Sequence, residues 1–264
     1  FNQALCNSPK KNIKNDYSQS FRQARSLENN ALFDEAEIIY KTILSEDPMN
    51  KVAFNKIKVI LRNKNDFEML EDIAEAYERN HLNNPIAKID LIEVYLWSDN
   101  EEWKIIANKI IDTHMKKDFI LKILLNKLLS SDKINYSKII IDLKRKEKNK
   151  ESFYSYELGN YYISHIDYKK GIEEYLVYLN YNPKKYDKIS AKITALPDYD
   201  ELHNNIKEIL EESSMLSSKM VLSDLAFKMN NFEEAYSLLK EISPTSKQLL
   251  DFAYQNIKIK NYTL

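Results

Sequence analysis

Residues 17–50 read YSQSFRQARSLENNALFDEAEIIYKTILSEDPMN, and their apolar side chains recur at helical spacing in two separate halves. The first half places three apolar residues on one helical face: Phe21, Ala24 and Leu27. Asn29 and Asn30 interrupt that pattern. The second half has a face of its own, made of Ala36, Ile39, Tyr40, Ile43 and Leu44. Pro48 ends it, because proline disfavours a helical residue before it and cannot continue the hydrogen-bond ladder. The stretch therefore predicts one helical hairpin.

The hairpin recurs along the chain. Aromatic residues open the second half of successive units at steps of 30 to 36 residues: Phe33, Phe67, Trp103, Tyr136, Tyr168, Tyr199, Phe232 and Tyr262. Paired helices at a period near 34 residues are typical of a helical repeat array, in which each unit packs on its neighbours. An array also suits a chain of 264 residues with only 2 Gly and 6 Pro, too few for the many tight turns of a β-fold.

Residues 152–185, SFYSYELGNYYISHIDYKKGIEEYLVYLNYNPKK, resemble the tetratricopeptide repeat consensus. The matching positions are Leu158, Gly159, Tyr162, Tyr168, Gly171, Tyr175, Tyr178 and Pro183. The small residues are those that let the two helices approach closely. Leu70 and Ile139 depart from the pattern, because they stand where alanine is usual. The resemblance implies an all-α fold, a right-handed α-solenoid of antiparallel helix pairs.

The repeats define the predicted domains. Residues 15–264 form the tetratricopeptide-like solenoid, with about seven complete hairpins and an eighth that starts at Ser246 and stops at Leu264. A last helix without a partner would expose Leu249, Phe252 and Ile257, so we expect the chain to be a fragment whose parent continues. Residues 1–14 are a disordered stub or the remnant of a secretory signal, with Ala4 and Cys6 at the small-residue positions. The protein is exported or periplasmic in the second case and otherwise cytoplasmic.

Sequence motifs for catalysis, metal or cofactor binding are missing, and we expect none of the three. Glycine at only two positions, 159 and 171, excludes a Gly-rich phosphate loop. No two of the four histidines lie three or four residues apart, and one cysteine excludes a multi-thiolate zinc site. No apolar run is long enough for a transmembrane segment. The net charge of −1 argues against a nucleic-acid partner. The basic run at residues 144–150 is interpreted as a helix end, with nucleic-acid or membrane contact as the alternative.

In tetratricopeptide families the first helices of successive hairpins line a concave groove that holds a peptide or a helix. Carried over by register, the candidate groove residues are Phe21, Arg25, Glu28, Asn55, Val59, Arg62, Tyr156, Asn160, Ile163, Met220, Asp224 and Phe227. Their mixture of aromatic, amide and charged groups suits peptide binding by stacking and amide hydrogen bonds. Phe21 and Arg25 stand where the family's carboxylate-clamp type has lysine and asparagine, so binding of a chain-terminal carboxylate is not expected.

The predicted function is therefore a protein-interaction scaffold that binds a peptide or helix of a protein partner, with a role in envelope or complex assembly. The alternative is a non-catalytic sensory or substrate-docking arm of a larger enzyme or regulator whose active domain lies beyond Leu264. The sequence beyond that residue would distinguish the two.

Overall fold

The computed structural model describes residues 16–242 and 246–258, and these residues form α-helices joined by short turns, with no β-strand among them. The chain divides into two compact units, residues 1–137 and 138–264. The helices of the first unit are α1 (Ser18–Asn29), α2 (Phe33–Glu46), α3 (Lys51–Lys64), α4 (Phe67–Asn80), α5 (Pro85–Trp97), α6 (Trp103–His114) and α7 (Asp118–Ser130). Helix α8 (Ile134–Arg145) includes the boundary. The second unit has α9 (Ser155–Ser164), α10 (Tyr168–Tyr181), a 3₁₀-helix (Pro183–Lys185), α11 (Tyr186–Thr194), α12 (Asp200–Glu211), α13 (Leu216–Lys228), α14 (Phe232–Glu241) and α15 (Ser246–Lys258).

The aromatic residues that predicted the repeat lie at helix starts. Five of them are the first residue of an even-numbered helix: Phe33, Phe67, Trp103, Tyr168 and Phe232. Tyr136 is the third residue of α8, and Tyr199 directly precedes α12. Tyr262 and the predicted stub at residues 1–14 lie outside the described residues. The all-helical, repeat-like arrangement is thus confirmed, with consecutive helices packed on one another in both units.

The turns between paired helices share one backbone conformation. Six of them contain a non-glycine residue with a φ of 54 to 63°, in the left-handed region: Ala31, Asn65, Asp99, Asp132, Ile166 and Asn230. In each turn the next N–H donates to the carbonyl five residues earlier, as in Asp66 to Leu61 and Asp167 to Tyr162, both 3.0 Å. This is the Schellman closure of a helix end. The first five of these positions are 34, 34, 33 and 34 residues apart, so the repeat is more regular in its turns than in its aromatic residues.

The same turns start the following helix. Asp66, Asp167 and Asn231 each come directly after the left-handed residue and accept a hydrogen bond from a backbone N–H in the first turn of α4, α10 and α14. Such N-caps satisfy donors that the helix itself cannot pair. A left-handed residue followed by aspartate or asparagine therefore ends one helix and begins the next.

Helix α5 is the centre of the first unit, because every residue from Ile89 to Leu96 is buried and α4, α6 and α7 all pack on it. In the second unit α9 and α10 approach most closely at two glycines. A Cβ on Gly159 would lie 2.6 Å from the Tyr175 ring, and one on Gly171 would lie 2.6 Å from the side chain of Ile163. The glycines therefore permit the close contact that the sequence predicted.

The exposure of two side chains, Ile139 and Phe252, differs from what the sequence pattern predicted. A large residue at a position where alanine is usual would be expected to hold the paired helices apart. Ile139 is 60% exposed and therefore does not lie between two helices, whereas Leu70 is fully buried. At α15, Leu249 and Ile257 are exposed as predicted, but Phe252 is half-buried and its ring contacts Phe227 at 5.4 Å.

Helices α11 and α12 break the repeat. Helix α11 has only nine residues, and its C-cap Ala195 has a φ of −82° instead of a left-handed conformation. Residues 195–199, which include Pro197, lead into α12 through an extended Tyr199. The principal contacts of both helices are with α10 and α13.

Candidate functional site

The predicted groove residues all lie on odd-numbered helices. We call the exposed side of α1, α3, α5 and α7 the odd-helix face of the first unit, and that of α9, α11 and α13 the odd-helix face of the second. Phe21 on α1 is half-buried and its ring lies 6.2 Å from that of Tyr40, while Arg25 is exposed. Glu28 accepts hydrogen bonds from the Tyr40 hydroxyl at 2.6 Å and from Lys56 on α3 at 2.7 Å. Glu28 therefore joins helices as well as lying on the face.

The α3 residues of this face are exposed. Asn55 and Arg62 are open to solvent, and Val59 is 52% exposed. The Arg62 guanidinium lies 4.1 Å from the centre of the Trp97 ring on α5, which is a cation–π distance. Trp97 was not among the predicted residues, although it completes the stacked pair.

Beneath this face lies an ion-pair cluster that the sequence did not reveal. The Lys58 ammonium, with a side chain only 8% exposed, lies 2.5 Å from Glu93 and 3.5 Å from Asp90. Glu93 also pairs with Lys127 at 2.6 Å, so the cluster joins α3, α5 and α7. Burial raises the pKa of Glu93, but Lys58 and Lys127 outweigh it and lower the pKa below its usual value. The pairs join residues 32 to 35 positions apart, close to the repeat period.

In the second unit, Tyr156 on α9 has two lysines from α11 over its ring. The Lys188 ammonium lies 3.6 Å from the ring centre and that of Lys192 5.6 Å. Burial raises the pKa of the Tyr156 phenol, yet the hydrogen bond from Lys188 and the charges of Lys192 and Lys188 lower it below its usual value. A half-buried aromatic ring with two cations is an arrangement that can bind a carboxylate.

The other two residues predicted on α9 have structural contacts. Asn160 accepts a 2.8 Å hydrogen bond from the hydroxyl of Tyr175, whose side chain is 1% exposed. Ile163 packs against Gly171. Replacing Asn160 would leave a buried hydroxyl without its partner, so Tyr156 is the better residue for testing binding.

Helices α11 and α13 enclose a depression of about 500 Å³, which we call the α11–α13 depression. Two predicted residues, Asp224 and Phe227, line it together with Ser190 and Asp187 of α11. The Ser190 hydroxyl donates to Asp224. Burial raises the pKa of Asp224 against this hydrogen bond, and the charge of Asp187 raises it further. Met220, the third residue predicted on α13, is half-buried and is not among the lining residues.

The structure thus brings Asp224 and Phe227 together in one depression and places Tyr156 against α11. The residues missed by sequence reasoning are those of α11 itself: Lys188, Ser190 and Lys192. The position of α11 could have been inferred from Tyr199. In the repeat pattern this residue begins the second helix of the sixth hairpin, so the first helix of that hairpin precedes it.

The first two residues of the basic run at residues 144–150 form ion pairs and hydrogen bonds within the second unit. Lys144 is 1% exposed and lies 2.6 Å from Glu147. Arg145 makes two hydrogen bonds to the Glu174 carboxylate, at 2.6 and 3.1 Å, and one to Ser155. These contacts fit the interpretation of this run as a helix end.

Metal binding and membrane crossing were considered for residues 16–242 and 246–258, the described part of the chain. No cluster of three or more metal-binding side chains occurs in it. None of its helices has the length and apolar character that crossing a bilayer requires. A comparison of the chain with protein-family models gives no match, and a comparison with curated protein sequences gives none either.

Proposed function

We propose that the chain is a tetratricopeptide-like interaction module that binds a peptide or helix of a partner protein on its odd-helix face. The observation that carries the proposal is the α11–α13 depression, which contains Asp224 and Phe227. Helix α11, which forms one wall of it, also carries the two lysines that lie over the Tyr156 ring of α9, Lys188 and Lys192. The finer features of the fold, right-handed winding and antiparallel pairing, are part of the same proposal.

The chemistry of this face defines the ligand. The two lysines and the ring of Tyr156 favour an acidic side chain of the ligand. Asp224 and Asp187 favour an amide or a basic group at the α13 side. Phe227, whose ring also contacts Phe232 at 5.2 Å, provides an apolar surface between helices. A ligand that presents an acidic residue to the two lysines, an apolar residue to Phe227 and an amide or basic residue to the two aspartates satisfies the three groups.

The test is selection of peptides from a displayed random library on the purified full chain, followed by binding measurements with the selected peptides. Lys188→Glu and Tyr156→Ala should each weaken binding by about tenfold, since each removes one side of the cation–π group. Lys148→Glu, the same charge change at an exposed lysine that lines neither surface, is the matched control and should leave the affinity within about twofold.

Circular dichroism of each variant establishes that it is folded. Selected peptides that bind Lys188→Glu and Tyr156→Ala as well as the unaltered chain would refute the proposed face. A library that yields no acidic, apolar-containing consensus would refute the proposed ligand chemistry.

A further inference from the structure

A long groove of the second unit lies between α10 and α12, on the side of the even-numbered helices, and has a volume of about 1130 Å³. We call it the α10–α12 groove. Its α10 wall uses positions at helical spacing along the whole helix: Tyr168, Lys169, Ile172, Glu173, Leu176, Val177 and Asn180. Its α12 wall repeats that spacing: Glu201, Leu202, Asn205, Ile206, Glu208, Ile209 and Glu212. At a rise of 1.5 Å per residue the α10 wall is about 18 Å long, the length of a helix of about three turns.

The floor of the groove is apolar. Ile172, Leu176, Leu202 and Ile206 are buried beneath it, and Ile209 is half-buried. At one end Tyr199 is 48% exposed and Ile166 is 73% exposed. Large apolar side chains left partly open along a continuous groove are typical of a protein-interaction surface.

The rim of the groove is acidic. Four exposed glutamates line it: Glu173 on α10, Glu201 and Glu208 on α12, and Glu212 directly after α12. None of these four forms an ion pair with any residue in the described ranges 16–242 and 246–258. The one lysine among the lining residues is Lys169. The rim therefore carries a net negative charge beside an apolar floor, with three of its four glutamates on the α12 side.

The groove exists because the repeat is broken at this point. The α11–α12 connection lacks the left-handed turn of the other pairs and continues through residues 195–199. Helix α12 packs mainly on α13 and α10, and the connection at residues 213–215 closes one end of the groove.

We propose that the α10–α12 groove docks a basic amphipathic helix of a partner protein. The apolar stripe of that helix lies on the floor, and lysines or arginines on both flanks pair with the glutamates of the two walls. The length of the groove, its apolar floor and its acidic rim each match one property of such a helix. This site is separate from the odd-helix face and stands whether or not that face binds a peptide.

The probe is a fluorescently labelled synthetic helix of roughly 14 residues, with leucines spaced three and four apart on one face and lysines on both flanks. The control peptide keeps the leucines and has glutamate in place of lysine. Anisotropy titrations against the full chain should show binding of the lysine peptide that weakens between about 50 and 300 mM NaCl, because salt screens the exposed charges. The glutamate peptide should bind at least about tenfold more weakly.

The decisive variant is Glu173→Lys with Glu208→Lys, one exposed residue from each wall. It should weaken binding of the lysine peptide by about tenfold and reduce the salt dependence. The matched control is Glu151→Lys with Glu233→Lys, two exposed glutamates of the same unit outside the groove, and it should change affinity by less than about twofold. Tyr199→Ala should weaken binding severalfold without altering the salt dependence, since it removes apolar contact only.

The proposal would be overturned if the lysine and glutamate peptides bound equally well, or if Glu173→Lys with Glu208→Lys weakened binding no more than the control variant. It would also be overturned if Lys188→Glu, on the odd-helix face, abolished binding of the lysine peptide. Sedimentation velocity tests whether a second copy of the chain occupies the groove instead. A dimer that Glu173→Lys with Glu208→Lys dissociates would show that a second copy of the chain, not a partner helix, occupies the groove.

Discussion

Replacing Ile166 by asparagine should stabilise the protein, although it removes an apolar side chain. Ile166 has a φ of 63° in the turn between α9 and α10, and a left-handed conformation costs an L-residue about 1–2 kcal/mol, which asparagine largely avoids. The side chain is 73% exposed, so its remaining quarter of burial is worth only about 0.4–0.8 kcal/mol. The difference predicts a net gain of about 0.5–1 kcal/mol in the free energy of unfolding.

The assay is urea unfolding followed by far-UV circular dichroism, in which such a gain raises the midpoint by about 0.3–0.5 M. Circular dichroism is required because both tryptophans, Trp97 and Trp103, lie in the first unit. Ile166→Val keeps the β-branched residue and should give no gain. Ile105→Asn makes the same substitution at a residue that is 64% exposed within α6, and should lose about 0.5–1 kcal/mol because it removes partly buried apolar surface without relieving a left-handed conformation. An Ile166→Asn midpoint at or below that of Ile166→Val would refute the reasoning.

Three further predictions concern the contacts between helices. Gly159→Ala should destabilise the second unit by about 1–2 kcal/mol in urea unfolding, because overpacking against Tyr175 exceeds the gain in helix propensity, and the cost should shrink when Tyr175→Leu is present. Lys58→Met should cost about 3–5 kcal/mol because it leaves buried carboxylates short of a partner, whereas Lys56→Met, two residues away with a side chain 42% exposed, should cost less than about 1 kcal/mol. The folded-state pKa of Glu93 lies below its usual 4.5, so its contribution is present above pH 4.5 and is lost as the pH falls through the lowered value. Glu93→Gln should therefore flatten the loss of stability in acid, and an unchanged pH profile would contradict the ion-pair cluster.

The fold could be predicted from the sequence because each unit marks its own boundaries. The aromatic residue at the start of each second helix was visible, and so were asparagines and aspartates at the turns, such as Asn65 and Asp99. The aromatic steps drift because the distance from the turn to the aromatic residue varies: Phe67 follows the left-handed Asn65 by two residues, whereas Trp103 follows Asp99 by four. The first five left-handed residues keep steps of 33 or 34 because they lie at a fixed place in one hydrogen-bonded turn, which the α11–α12 pair before Asn230 lacks. Ala31 and Ile166 concealed that signal, since neither residue type favours a positive φ.

The candidate site was less predictable, because the sequence does not show which lysine side chains are buried against other helices and which face solvent. Lys58 lies on a helix whose other buried residues are mainly apolar, and a charged residue there is expected to face solvent. Its partner Glu93 is 35 residues away and Lys127 a further 34, so a search for opposite charges at the repeat period would have found the cluster. The same holds for Lys188, which reaches Tyr156 from the next odd helix.

Both candidate binding surfaces of the second unit adjoin the one place where its repeat fails. In a regular array each helix pair covers the apolar face of the previous pair, which leaves little apolar surface for a ligand. The short α11 gives the α11–α13 depression on one side, and the altered path into α12 opens the α10–α12 groove on the other. Helices α11 and α12 both pack on α10 and α13, so the walls of the depression (α11 and α13) and of the groove (α10 and α12) belong to one packed group of four helices. The regular helix pairs therefore account for the fold of this chain, and the irregular pair at residues 186–211 accounts for its two candidate sites.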